Sequence, residues 1–235
     1  MKTLDISKLT LVILLMTAFS ARAQNSDSAK VKSIWDKKFF WGVTLNNALT
    51  TIDGTNLPQE YFSRPTVGGS IKTEYYFSKY IGATIGVGFI AKGAGIITPD
   101  LYSGLGDPDS THRARIKFYS LEVPIAIIFR GFEPIKGTRI HAELGIIPSK
   151  IIESKYIFLS VEDGFHLIED HSDRYYKTDL SLHASLGLDV NAGSSCIFQV
   201  DFYGNWGTAN VYNPAFFPNQ NGRNQLYGIR LGWLF

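Results

Sequence analysis

A single cysteine, Cys196, among 235 residues excludes an intramolecular disulfide framework and any cysteine-rich zinc site. Charge is scarce as well: Asp, Glu, Lys and Arg together make up 19%, and there are only nine prolines and two methionines. Outside the first two dozen residues no apolar run approaches the ~18 residues that a membrane helix needs. Little charge, 14% aromatics and 22 glycines argue against a helical bundle, a coiled coil or collagen, and for β-strands. The apolar fraction of 45% is that of an ordinary folded chain.

The N-terminus has the pattern of an export signal. Lys2 and Lys8 precede the apolar run 9–16, and Ala21-Arg22-Ala23 supplies small residues at −3 and −1. The run is too short to span a bilayer as an anchor. The expected organisation is a signal peptide over 1–23, a polar periplasmic lead-in over 24–38 and one β-domain over 39–235. Loss of Lys2, Lys8, Arg22 and Asp5 from 23 basic and 21 acidic residues leaves twenty of each, so the mature chain is formally neutral. A neutral chain offers no electrostatic footprint for nucleic acid.

From Phe39 onward the dominant signal is period-two alternation, the mark of strands with two unlike faces. In 179–192 the even positions are Leu180, Leu182, Ala184, Leu186, Leu188, Val190 and Ala192; the odd ones are Asp179, Ser181, His183, Ser185, Gly187, Asp189 and Asn191. The same test finds strands at 39–48, 67–77, 80–92, 115–130, 138–147, 196–206 and 224–235, eight in all. Connections alternate between short (78–79, 131–137, 193–195) and long (49–66, 93–114, 148–178, 207–223). Short turns on one side and long loops on the other are the pattern of an all-β, eight-stranded, antiparallel up-and-down transmembrane barrel, its turns periplasmic and its four long loops extracellular.

Which face points inward separates a membrane barrel from a secreted lipocalin-like binding barrel. One face is nearly free of ionisable groups, as hydrocarbon requires. The other carries Lys72, Glu74, Glu122, Arg139, His141, Glu143, His183, Asp189, Asp201 and Arg230 among many glycines. Charges of both signs can pair inside a barrel too narrow for anything but side chains, so these ten are expected to form an interior polar network. Phe39, Trp41, Tyr75, Phe77, Tyr80, Phe129, Trp233 and Phe235 gather at the turn-side strand ends like an interfacial girdle. The surrounding partner is then outer-membrane lipid.

Three stretches carry a family resemblance: 68–80 (GGSIKTEYYFSKY), 119–124 (YSLEVP) and 227–235 (YGIRLGWLF). With them the chain resembles the small outer-membrane β-barrel proteins of Gram-negative bacteria, specifically the porin family or PorT-like β-barrel domain. The resemblance implies location and fold more than activity. It also implies that Tyr227, Ile229, Leu231, Trp233 and Phe235 form the C-terminal signal read by the outer-membrane barrel assembly machinery, and it makes an envelope or secretion complex a candidate partner.

Other constellations fail. Gly88-Phe89-Ile90-Ala91-Lys92-Gly93 is followed by Ala94, not by the Lys-Ser/Thr of a phosphate-binding loop. His166, Glu169 and His171 are spaced H-x-x-E-x-H, which is no zinc-protease motif, and Asp107-Pro108-Asp109-Ser110 is a turn signal. No nucleophile on the lipid face has a histidine on that face. The sequence therefore implies no cofactor, no metal and no catalysis. The expected function is a structural, accessory or surface-binding role carried by loops or partner contacts, with a narrow channel, a lipocalin-like barrel or an outer-membrane hydrolase as alternatives.

Overall fold

The computed structural model describes residues 33–55, 60–98, 112–159, 166–170, 173–193 and 195–235. The signal segment and the Asp107–Ser110 turn lie outside the described residues, as does His171. The side chains of His166 and Glu169 also lie outside them.

Eleven strand segments follow in order: β1 (Phe39–Thr55), β2 (Glu60–Phe62), β3 (Arg64–Tyr76), β4 (Ile81–Thr98), β5 (His112–Glu122), β6 (Ile125–Arg130), β7 (Thr138–Leu159), β8 (His166–Asp170), β9 (Thr178–Asn191), β10 (Ile197–Gly207) and β11 (Asn221–Leu234). All pairings are antiparallel and they close a ring: β1 on β3, β3 on β4, β4 on both β5 and β6, these two on β7, then β9, β10, β11 and back to β1. Segments β5 and β6 are two halves of one stave, so the ring has eight staves. The break falls at Val123-Pro124, where proline has no N–H to offer the ladder and its carbonyl instead accepts from the Gly86 N–H at 3.0 Å. Short β2 and β8 extend the wall on the loop side, against β4 and β7. A closed ring leaves no unpaired backbone edge in lipid.

The outward face is apolar through the membrane band. Val67 and Phe202 are each 68% exposed, Leu186 60% and Ile71 62%, an arrangement that water would penalise and that hydrocarbon welcomes. This orientation excludes the lipocalin-like alternative. On β9 the outward apolar positions run from Leu180 to Val190, the ~9–11 residues a tilted strand needs to cross. The turn-side girdle is outward and exposed, with Trp41 against Phe235 at 5.5 Å and Phe198 against Trp233 at 5.1 Å between ring centroids. A second border lies on the loop side, where Trp206 Nε1 donates to the Tyr227 hydroxyl at 2.8 Å and Phe89 stacks on Tyr119 at 6.0 Å.

The strands continue beyond this border, and much of what alternation assigns to long loops is barrel wall. β1 runs to Thr55, β4 to Thr98 and β7 to Leu159, while β5 starts at His112. The reason is an inversion of polarity. Above the border the outside meets water and carries Asp53, Arg115, Lys150 and Arg223, whereas the inside is Ile52, Ala94, Ile96, Ile116, Phe118 and Ile151. The period-two pattern persists with its faces exchanged, so a search for apolar-outward strands loses it there. The lead-in also departs from the expected polar segment: Ile34 and Trp35 form one 3-10 turn and are buried in the turn-side mouth.

Lipid-face burial makes a direct prediction. Leu186→Arg, near the middle of the membrane band, should cost about 2–4 kcal/mol in a urea titration of folding into bilayers, and Thr51→Arg at the loop-side border about 0–1 kcal/mol. Equal costs at the two positions would contradict the placement.

Candidate functional site in the barrel lumen

Inward positions of six staves converge on the turn-side half of the lumen. Arg230 of β11 donates from Nε to Asp201 Oδ2 at 2.6 Å and from Nη2 to Glu143 Oε2 at 2.5 Å. Lys72 of β3 meets Glu143 Oε1 and Glu74 Oε1, both at 2.9 Å. Arg130, the last residue of β6, donates from Nε to Asp189 Oδ2 at 2.8 Å. Gln199 joins the two halves, its amide donating to Asp189 at 2.8 Å and to Glu74 at 3.1 Å. His183 lies 3.4 Å from Glu143 through Nε2 and 2.6 Å from Asn205 Oδ1 through Nδ1. Every charged member is buried.

His141 completes the cluster. Its Nε2 bonds Asp201 and its Nδ1 lies 2.9 Å from Asp189 Oδ1. Both ring nitrogens face carboxylates, where a lone pair on either would meet negative charge, so the ring is an imidazolium. Lys72, Arg130, Arg230 and His141 then balance Glu74, Glu143, Asp189 and Asp201. A buried cluster with equal charges and shared hydrogen bonds is tolerable where any one of these ions alone would not be. Gly187 makes the crossing possible: a Cβ there would strike the Asp201 carboxylate and the His141 ring.

Eight of the ten residues expected to form an interior network meet here. Glu122 does not; it belongs to a second, smaller group on the loop side, with Lys92 at 2.8 Å, and Lys92 also reaches Asp179 at 3.2 Å. Arg139 joins neither, lying at the turn-side mouth with its guanidinium 5.0 Å from the Trp35 ring. Arg130, Gln199, Lys92 and Asp179 are additional members. All four lie on the polar side of the alternation; Arg130 was hidden because it ends its strand, Gln199 because it carries no charge.

Apolar layers close both ends. At the turn side Trp35, Ile34, Phe40, Tyr76, Ile128, Ile197 and Leu234 pack together, and Arg130 is caged by aromatic rings, its guanidinium 3.9 Å from the Tyr76 centroid and 5.2 Å from Trp35. At the loop side Phe118 packs edge-on against Tyr175 at 4.8 Å, and Tyr61 and Tyr212 share a hydrogen bond of 2.5 Å. Between the two polar groups a cavity of about 30 Å³ is lined by Asn46, Glu122, His183, Tyr203, Asn205 and Arg230. That is room for a water or two, and Asn46 Oδ1 and the Tyr203 hydroxyl, without protein partners among the described residues, would bond them. No described carboxylate in the lower cluster is left over to ligate a metal, since each is met by cations.

An antiparallel ring of eight staves with a lipid-compatible outside and a charge-paired inside defines an integral outer-membrane β-barrel. The family described as outer membrane protein beta-barrel domain matches residues 22–213, and the chain belongs to it. The protein therefore resides in the outer membrane. No curated protein matches the chain. Among solved structures, the attachment invasion locus protein Ail of Yersinia pestis is 14% identical, covers 85% of this chain and 100% of its own, and has a TM-score of 0.40. OprG of Pseudomonas aeruginosa is 12% identical over 84% and 95% with a TM-score of 0.45. Neisserial surface protein A is 11% identical over 83% and 95% with a TM-score of 0.43.

The doubly bridged His141 can be read directly. Nitrogen-15 NMR of the protein in micelles at pH 7.5 should show both His141 ring nitrogens protonated. A single protonated nitrogen would contradict the charge balance of the cluster.

Proposed function

We propose that this outer-membrane barrel is a sealed, non-enzymatic protein that works as a scaffold, accessory subunit or surface-binding protein. Its activity lies on the loop side and in contacts with envelope partners. The observation that carries this reading is the filled lumen. Two apolar layers and two ion-paired layers occupy the bore in series, and an eight-stave barrel has no width to spare for a water column around them. Opening a channel would require breaking the Arg230 and Lys72 bridges together.

A porin-family or PorT-like origin and membership of an envelope or secretion complex belong to the same proposal. So do a mature chain beginning at Gln24 and recognition of Tyr227, Ile229, Leu231, Trp233 and Phe235 by the assembly machinery. All of that C-terminal set except the half-buried Leu231 is exposed, and all five residues point outward on the closing strand, where a second protein can reach them during insertion.

Planar-bilayer recording tests the sealed lumen. The purified full-length protein should give no stable conductance. Nanosiemens-scale openings from the wild-type protein would overturn the proposal in favour of a narrow channel.

A further inference from the structure

Just above the loop-side aromatic border the outward face of β5 and β7 turns cationic. Arg115 and Lys117 follow Tyr119 on the outside of β5, and Lys117 sits directly across the ladder from Lys155 of β7. Like charges in that position repel and destabilise a sheet. Arg64 enters the same place from β3. Beyond the Gly68–Ile90 pair β3 and β4 separate, and the gap is bridged by the Thr66 hydroxyl on the Ala91 carbonyl and by Arg64 Nη2 on the Lys92 carbonyl at 3.0 Å. Arg64 is only 7% exposed, and its Nε has no partner among the described residues. Lys155 is answered by Glu153 at 2.9 Å. Arg64, Arg115 and Lys117 have no carboxylate at ion-pair distance among the described residues. Burial together with Arg64, Arg115 and Lys155 pulls the Lys117 ammonium below its ordinary value, which marks a place where negative charge is wanted.

The location selects the ligand. Lys117 faces Gly93 across the β4–β5 ladder, and a glycine offers no side chain to answer the ammonium. Directly below are Tyr119, Phe89 and Leu121, exposed or half-buried toward lipid. A molecule with a phosphate at headgroup height and acyl chains against that apolar wall satisfies both surfaces at once. Guanidinium and ammonium groups bind phosphate through charge-assisted hydrogen bonds, and basic residues at a membrane border attract anionic headgroups. We infer that Arg115 and Lys117, backed by the buried Arg64 guanidinium, form a site for the phosphate groups of an anionic lipid in the loop-side leaflet. This rests on the placement of the barrel in the membrane, and it is independent of whether the lumen conducts.

The test uses the full-length protein in phosphatidylcholine nanodiscs doped with lipid A that either bears its phosphates or has been stripped of them, with bound lipid read by native mass spectrometry. Wild-type protein should retain the phosphorylated form and not the stripped one. The double variant Arg115→Gln, Lys117→Gln should retain about tenfold less or lower still, while Arg223→Gln, an outward cation on β11, should match wild type. Equal retention of the two lipids, or undiminished retention by the double variant, would overturn the site. Displacement of the lipid by excess inorganic phosphate would assign it to a soluble anion and overturn the lipid source. In phosphate-free detergent the double variant should melt no lower than wild type, because repulsion is relieved. A clear fall would show that the cations serve the fold, which would also overturn the proposal.

Discussion

The grip of Arg230 on Glu143 and Asp201 is the interaction on which the lumen depends. One guanidinium spans two carboxylates from different staves, and each carboxylate passes the contact on, Glu143 to Lys72 and Asp201 to His141. In a medium of low dielectric an unpaired ion is costly, so the four cations and four anions are acceptable only as a set. The set in turn dictates the wall. Glycine at 187 leaves room for the crossing side chains, and the barrel can be no wider than the reach of an arginine.

The period-two pattern made most of this legible. Eight staves, their inward and outward faces, and eight members of the charge cluster follow from alternation because each strand in the membrane separates lipid from lumen without exception. What it hid has physical causes. Val123-Pro124 splits one stave without disturbing its period. Above the loop-side border the faces exchange polarity, so Ile52, Ala94, Ile96 and Ile151, which fill the bore, belong to stretches that look like loop. Arg139 shares its face with His141 and Glu143 yet stands one pleat nearer the mouth, against Trp35, and alternation carries no information about depth. Trp35 itself sits in a segment with no pattern at all.

Depth also organises what the barrel can do. Its centre is occupied by paired charge and its ends by aromatic and aliphatic packing, which leaves the exterior as the working surface. On the loop side that exterior is divided: the Trp206–Tyr227–Gln225–Asp53 hydrogen-bond chain borders one flank, and the cations of β5 and β7 border another. Strands extended past the membrane hold these groups on the barrel wall. On the proposed reading, a protein built this way positions contacts at the membrane surface and spends none of its interior on passage.

The measurement that reaches the central claim most directly is a double-mutant cycle between Arg230 and Glu143, read as unfolding free energy in urea. Arg230→Leu alone should cost about 3–5 kcal/mol, because it strands Glu143 and Asp201 in the buried lumen. Adding Glu143→Leu should restore a large part of that loss, giving a coupling energy of several kcal/mol. Strictly additive losses would mean that the two side chains are independently solvated, and the account of a sealed, charge-balanced barrel would be wrong.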